Sequence, residues 1–388
     1  FSPYTSITTN LLFFDNTKPT TETWFYRVDI PSDRKHFSKT KPMELKNFDD
    51  CIAWWNNREV IPDGEYFKAQ KYTADYLLNE QGCNIDLCGY PHEEEEVMAP
   101  ADLIQKYEEK RASLNAEIDR TILALSASLN GEPVNFDTQG TISACGKMDD
   151  LHKRFPEDMK KSVLQYAIQG KLVEQRPEEG TAEELYRQIQ TEKKRLTKEG
   201  KIKKEKPLPE IAEDEIPFDI PESWKWVRLG DCTGYSQTKP KISPKDITEN
   251  MWSLDLEDIQ KESGAILTRI TASERKITGD KVLFYKGQVL YSKLRPYLKK
   301  ILVAPDNGIC TPELVPFNTY LVYANYIVYV LRSPHIDYAV NSVTYGVKMP
   351  RVGTETMVNL LIPLPPIAEQ KRIVAKLEEI LPLCERLK

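Results

Sequence analysis

The sequence predicts an α+β chain in which long helices and strand-rich segments alternate along the polypeptide. Apolar residues recur at helical steps of three and four over 101–129, 156–170, 181–199 and 367–388. Short β-branched and aromatic runs bounded by turn residues fill 223–362, and similar runs open the chain over 4–30. With 388 residues, several domains are expected, and no apolar run reaches the length of a membrane span.

Asn10-Leu-Leu-Phe-Phe14 is a short apolar run, Asp15 to Pro19 is turn chemistry, and Thr23 to Val28 is aromatic and β-branched, which together predict a hairpin. Phe48 to Asn57 reads as a short helix, followed by a turn at Pro62-Asp63-Gly64, and 82–100 reads as a loop. From Ala101 to Leu129, Leu103, Tyr107, Leu114, Ile118, Ile122 and Leu125 draw the stripe of a long amphipathic helix in need of a partner. Residues 131–147, with Gly131, Pro133, Gly140 and Gly146, have no period and read as a linker. Helical signals resume at Pro156 and stop at Gly170, and Thr181-Ala-Glu-Glu184 is a capping box opening a charged helix. Lys201 to Pro221 is a Lys- and Pro-rich connector.

Over 223–362, Val282–Tyr285, Gln288–Tyr291 and Tyr326–Leu331 read as strands separated by Lys286-Gly287, Asn307-Gly308 and similar turns. After the corner at Pro363–Pro366, Ile373, Val374, Leu377 and Ile380 form the apolar stripe of a last helix. It reaches Lys388 without a cap, so it is expected to continue or to pack against another chain. Phe1 at the start likewise predicts a fragment or processed piece.

A net charge of −6 argues against nucleic acid only as an average. Residues 1–146 carry −10 and 147–222 carry −2, whereas 223–366 carry +5 and 367–388 carry +1. One basic module rides on an acidic chain, the asymmetry expected of a nucleic-acid reader. The seven cysteines are scattered without a C-x-x-C and accompany four histidines, which argues for a reducing, cytoplasmic setting and against a structural zinc site. His92 and the glutamates at 93–96 tempt a metal reading, but consecutive carboxylates point in different directions, so a solvated loop is expected and no metal.

Two stretches resemble two subunits of one machine. Lys161-Ser-Val-Leu-Gln-Tyr-Ala-Ile-Gln-Gly-Lys-Leu-Val173, Lys203-Lys-Glu-Lys-Pro-Leu-Pro209, Ile216-Pro-Phe-Asp-Ile-Pro-Glu-Ser-Trp-Lys-Trp-Val-Arg-Leu-Gly230, Tyr291-Ser-Lys-Leu-Arg-Pro-Tyr297, Gly346-Val-Lys-Met-Pro-Arg351 and Pro363-Leu-Pro-Pro-Ile-Ala-Glu-Gln-Lys-Arg-Ile-Val374 follow one another in order. With them, residues 148–388 resemble the amino-terminal half of the DNA specificity subunit of type I restriction-modification systems. Tyr4-Thr5, Thr9-Asn-Leu-Leu-Phe-Phe14, Trp24-Phe-Tyr26, Lys39-Thr-Lys-Pro42, Trp54-Trp-Asn-Asn-Arg58, Asn84-Ile-Asp-Leu87 and Pro91-His92 make residues 1–130 similar to the carboxy-terminal end of the partner adenine-N6 methyltransferase subunit. Met148 sits where a separate specificity subunit would begin.

The resemblance implies a methyltransferase part at 1–100, a long helix at 101–130, the linker at 131–147, specificity-subunit helices and connector at 148–222, a target-recognition domain at 223–362 and a spacer helix at 363–388. It also implies double-stranded DNA and a methyltransferase subunit or domain as partners, with a restriction or translocase subunit beside them. S-adenosylmethionine is expected in a catalytic domain outside this chain, since no Asn-Pro-Pro-aromatic tetrapeptide, Gly-rich strand-to-helix loop or P-loop occurs here. Catalytic residues are therefore not expected in this chain.

For DNA contact, Tyr291 to Lys300 supplies Lys293, Arg295, Tyr297 and Lys299, though the same composition fits a solvated strand end. Lys348 and Arg351 flank Pro350 in a loop that is equally a structural turn. Tyr235, Gln237, Lys239 and Lys241 form a polar loop whose Gln suits adenine and whose composition also suits ordinary surface. Arg269, Arg275 and Lys276 are weaker candidates, and Trp54-Trp55 reads as core rather than as a stacking platform. Subunit contacts are expected at Leu114, Ile118, Leu125, Ile373, Leu377 and Ile380, with a homodimer through the last helix giving a palindromic bipartite target. Two other readings compete: a longer fused methyltransferase with its catalytic domain before Phe1, and a protein-interaction module that does not bind DNA.

Overall fold

A computed structural model describes residues 11–13, 18–29, 43–63, 66–80, 97–129, 138–341 and 350–387. The chain divides into two compact units, Phe1–Glu93 and Glu94–Lys388. Among the described residues no helix is long and apolar enough to cross a membrane.

In the first unit β1 (Glu22–Tyr26), α1 (Asp49–Trp55), β2 (Ile61–Asp63) and β3 (Tyr66–Thr73) form an antiparallel β1-β3-β2 sheet with one short helix. Alternation puts Trp24 and Tyr26 on one face, where both rings meet Trp54 of α1 at 5.8 and 4.8 Å. Trp54 is buried and donates its indole N–H to the Glu59 carbonyl at 2.8 Å. Trp55, expected in the core beside it, is instead 41% exposed under the Arg58 guanidinium. Most of the first strand of the hairpin expected over 4–30 lies outside the described residues. β1 pairs with β3, from Glu22↔Thr73 to Tyr26↔Ala69, while Leu11–Phe13 form no strand. The eight-residue β3 is the central strand and pairs on both edges, with β1 and β2. The loop with His92 and the four glutamates lies outside the described residues.

The second unit begins with α2 (Pro100–Leu129) and α3 (Thr138–Ile168). Tyr107 stacks on Phe155 at 3.9 Å, and Leu114 and Ile118 pack on Met148 and Leu151, so the two helices run antiparallel. Two expectations are corrected. Residues 138–147 are helix, not linker: they continue the helix that packs on α2 from Met148 onward. Pro156 does not start a helix but lies inside α3, which continues through it along the α2 and core contacts. Leu114 and Ile118 thus have their partner within the chain; Leu125 lies on α2, its side chain outside the described residues.

Gly170, in the left-handed region at φ 71°, ends the run after α3. α4 (Ala182–Lys198) opens on the expected reciprocal capping box of Thr181 and Glu184 and buries Ala182, Leu185 and Ile189. The 201–221 connector is extended, apart from one 3₁₀ turn at Glu213–Glu215. It is pinned by Arg228, whose guanidinium donates to the Pro209, Glu210 and Asn359 carbonyls and to the Glu215 carboxylate.

From there the chain runs through β4 (Lys225–Arg228), the single turn α5 (Leu229–Cys232), β5 (Lys241–Ile242), β6 (Trp252–Leu254), β7 (Ile270–Thr271), β8 (Lys281–Phe284), β9 (Val289–Ser292), β10 (Ile301–Val303), β11 (Gly308–Cys310) and β12 (Leu314–Phe317). α6 (Ala324–Arg332), α7 (Pro334–Asn341), α8 (Thr354–Asn359), β13 (Leu361–Leu364) and α9 (Ile367–Glu385) complete it. The strands make sheets β10-β9-β12, β5-β8-β11-β6-β7 and β13-β4. All pairs are antiparallel except β11 with β6. Helices and antiparallel sheets are separate layers, so the chain is α+β.

Tyr326–Leu331, expected as a strand, is the body of α6. Its residues are buried on nearly every side, and an all-apolar run carries no period to separate helix from strand. The stripe on α9 is also used internally: Ile373 and Leu377 are each 1% exposed in the same core as Met159 and Val163 of α3, with Ile380 packed against it. They are not an open subunit interface.

Candidate nucleic-acid interface

Three segments converge where β9 ends. Lys293 N–H donates to the Glu313 carbonyl at 3.0 Å, and Val352 N–H to the Lys293 carbonyl at 3.1 Å. Leu294 bridges Arg351, and Arg295 N–H donates to the Pro350 carbonyl at 2.7 Å. This backbone seam brings Lys293, Arg295 and Arg351 together although 56 positions separate Arg351 from Arg295. Arg295 sits in the left-handed region at φ 50°, which costs a non-glycine residue about 1–2 kcal/mol; the Pro350 bond and the following 3₁₀ turn at Pro296–Leu298 hold it there. The residue is half-buried, and its guanidinium makes no hydrogen bond or ion pair among the described residues. Tyr297, next along the turn, is 47% exposed.

The Glu313 carboxylate lies on the same seam. It accepts from Arg351 Nη2 at 2.9 Å and from Nε at 3.4 Å, and Lys293 Nζ stands 3.8 Å away. Nothing in the sequence marks Glu313: it is one acidic residue in the Cys310–Leu314 turn, and its cations lie 20 and 38 positions off.

Several expected DNA contacts are engaged elsewhere. Lys299 is 8% exposed and ion-paired to Asp337 at 3.1 Å, because its own left-handed backbone turns it inward. Tyr235 is 3% exposed in an aromatic cluster with Phe317 and Tyr291. Lys239 donates to the Gly234 and Tyr235 carbonyls at 2.8 and 2.9 Å, and burial brings its pKa down to about 8. Gln237 has both ends of its amide occupied. Its nitrogen donates to the Lys203 carbonyl and to Glu205, and its oxygen accepts from Lys203 N–H. That loop therefore closes on the connector rather than presenting an adenine reader, and these four residues are corrected as contacts. Lys241 is exposed on β5, and Lys348 lies outside the described residues.

The weaker candidates divide in the same way. Arg275 is buried among Asp255, Glu257 and Asp258, whereas Arg269 pairs with Asp306 over the Trp252 ring. The +5 of the module is thus spent largely inside it, and Lys293, Arg295, Arg351 and Tyr297 are the expected residues that the fold gathers at one place. Among the described residues no group of three or more His, Cys, Asp or Glu is placed to hold a metal.

Residues 221–386 match the family model of the type I restriction modification DNA specificity domain. The chain is 29% identical over 239 residues to the type I restriction enzyme EcoAI specificity subunit of Escherichia coli, covering 59% of this chain and 40% of that one. It is 30% identical, over the same length and shares, to the EcoEI specificity subunit of Escherichia coli. A further match, 34% identical over 134 residues, is to the EcoEI methylase subunit of Escherichia coli, covering 34% of this chain and 27% of that one. Among solved structures, the HsdS subunit from Thermoanaerobacter tengcongensis is similar over 44% of this chain and 45% of that one, with 27% identity and a TM-score of 0.39. The chain spans about 40% of the length of the specificity subunits it matches.

Proposed function

We propose that this chain, whose residues 221–386 carry a type I restriction-modification DNA specificity domain, reads duplex DNA for a type I restriction-modification complex. The observation that carries this reading is the match over the whole recognition module, and the Lys293–Arg295–Arg351 seam gives it a chemical basis. Phosphate contacts supply affinity through cations, and base edges supply sequence through forked donors. Arg295 suits the second role. Its backbone is fixed by the bond to the Pro350 carbonyl and by the 3₁₀ turn that follows, and a rigidly based guanidinium donates in a fork to guanine O6 and N7. Lys293 and Arg351 suit phosphate, and the Tyr297 hydroxyl, at the exposed edge, suits either a phosphate or a base.

In this reading residues 223–362 read one half of a bipartite site. The α2–α3 pair and α9 hold the module at a fixed distance from a methyltransferase subunit, which methylates adenine N6, and a restriction or translocase subunit joins the assembly. Titration of the chain with a mixed-sequence duplex at increasing salt tests it: affinity should fall steeply with salt, with a slope of about −0.9 for each phosphate neutralised. Binding that ignores salt would overturn it and leave a protein-interaction module.

The similarity to a methylase subunit favours a second, compatible reading, in which residues 1–130 are the tail of a fused adenine-specific methyltransferase. S-adenosylmethionine does not fit the residues present. The β1-β3-β2 sheet is antiparallel, and among the described residues no Gly-rich strand-to-helix turn faces a cofactor crevice. The cofactor would belong to a catalytic domain before Phe1, and the intact mass of the native polypeptide tests this.

A further inference from the structure

Glu313 shares the proposed reading seam with three cations, and its carboxylate has no evident structural task there. The backbone already fixes the geometry. Lys293 N–H to Glu313 O, Val352 N–H to Lys293 O, Arg295 N–H to Pro350 O and the Leu294–Arg351 bridge tie the three segments together without any side chain. The side chains of Lys293, Arg351 and Glu313 are all about a quarter to a third exposed, and ion pairs at that exposure add little to folding. What the carboxylate does change is the charge presented. It sets three cations against one anion, and it takes up the Nε and Nη2 edge of Arg351 in the side-on geometry that a phosphate would use.

We infer that Glu313 is a built-in stand-in for a DNA phosphate and acts as a specificity-determining residue. A duplex must displace it from Arg351 and Lys293, so that indiscriminate backbone binding is weakened. A sequence that also satisfies Arg295 offsets the displacement, whereas an arbitrary sequence does not. This rests on the DNA-reading proposal above and adds a carboxylate that opposes affinity in favour of selectivity.

The test measures binding of the full chain to a mixed-sequence duplex over a salt series, comparing wild type with Glu313→Gln, which keeps the shape and removes the charge. E313Q should bind about three- to tenfold more tightly at low salt, with a slope steeper by about 0.9 as one more phosphate is engaged. R351Q should then lose more affinity in the E313Q background than alone, because there the Glu313 charge no longer competes with a phosphate for Arg351. Unfolding curves check that the variants are folded. Should E313Q lose structure, Glu313→Asp carries the test, since its shorter arm loosens the pair and should raise affinity in the same direction. Equal affinity and equal slope for wild type and the folded variant would overturn the inference and leave the DNA reading intact. Salt-insensitive wild-type binding would instead overturn the DNA reading itself, and it would be seen before any variant is made.

Discussion

Trp224 donates its indole N–H to the Glu369 carboxylate at 3.0 Å, joining the residue before β4 to the first turn of α9 across 145 positions of sequence. The second oxygen of Glu369 accepts from Gln175 at 2.7 Å, and Gln175 in turn accepts from Ser223 and donates to the Gly170 carbonyl. One buried carboxylate therefore ties the end of α3, the entry to the recognition module and the exit helix. Replacing it with alanine leaves two donors unsatisfied, and E369A is expected to lose about 2–5 kcal/mol, read as a lower urea midpoint.

The same group predicts a pH dependence. Burial raises the Glu369 pKa above its ordinary 4.5, against the opposing pull of the Trp224 and Gln175 bonds. A raised folded value means that the folded chain holds the proton more tightly. The contribution is therefore most favourable below 4.5 and is lost as pH rises through the folded value. The stability of wild type relative to Glu369→Gln, which has no proton to lose, should fall as pH is raised from 4.5 towards neutrality and then level off.

Arg295 and Lys299, four residues apart in one loop, should separate cleanly. Arg295→Gln is expected to weaken duplex binding and to lower the salt slope by up to about 0.9 without moving the unfolding midpoint. Lys299→Gln removes the buried ammonium that pairs with Asp337 and Glu262, so it should cost about 1–3 kcal/mol of stability. Equal effects of the two variants on stability would mean that Arg295 is structural too.

Gly264 lies at φ 65°, and a Cβ there would collide with the Ile301 carbonyl oxygen and the Arg332 guanidinium, which itself donates to that oxygen. Both the left-handed backbone and the clash count against a side chain. Gly264→Ala should destabilise the module by more than about 2 kcal/mol in equilibrium unfolding.

Leu377 tests whether the α9 stripe is core or interface. Leu377→Ala should cost about 2–5 kcal/mol, with an unfolding midpoint independent of protein concentration. A midpoint that rises with concentration, or light scattering showing a dimer that the variant dissociates, would restore the intermolecular role.

Where the chain carries local chemistry, the sequence was legible. The Thr181/Glu184 box and Gly200 bounded α4, and Val282–Tyr285 and Gln288–Tyr291 became β8 and β9 nearly to the residue. What was hidden depended on partners distant in sequence. α3 packs on α2 through Leu114, Ile118, Met148 and Leu151, β1 pairs with β3 more than forty positions away, and α6 is so fully buried that its period vanished. The cations failed for a related reason. Composition shows that a lysine is present, but whether its ammonium faces solvent or is buried against a carboxylate, as Lys299 is against Asp337, is decided by the fold. Glu313 was invisible because its meaning lies wholly in Arg351 and Lys293.

Met148 lies in the middle of the continuous helix α3, facing Leu114, with Tyr107 and Phe155 stacked one turn and more further on. The boundary that the resemblance draws between two polypeptides at Met148 therefore falls inside one continuous helix rather than at a joint. Two chains that carried α2 and α3 separately would each keep one side of the seam that Tyr107, Leu114 and Ile118 make with Phe155, Met148 and Leu151. They would find each other by the same Leu114, Ile118, Met148 and Leu151 contacts that the hairpin makes. Carrying both helices on one chain replaces a bimolecular encounter with an effective concentration and fixes their stoichiometry.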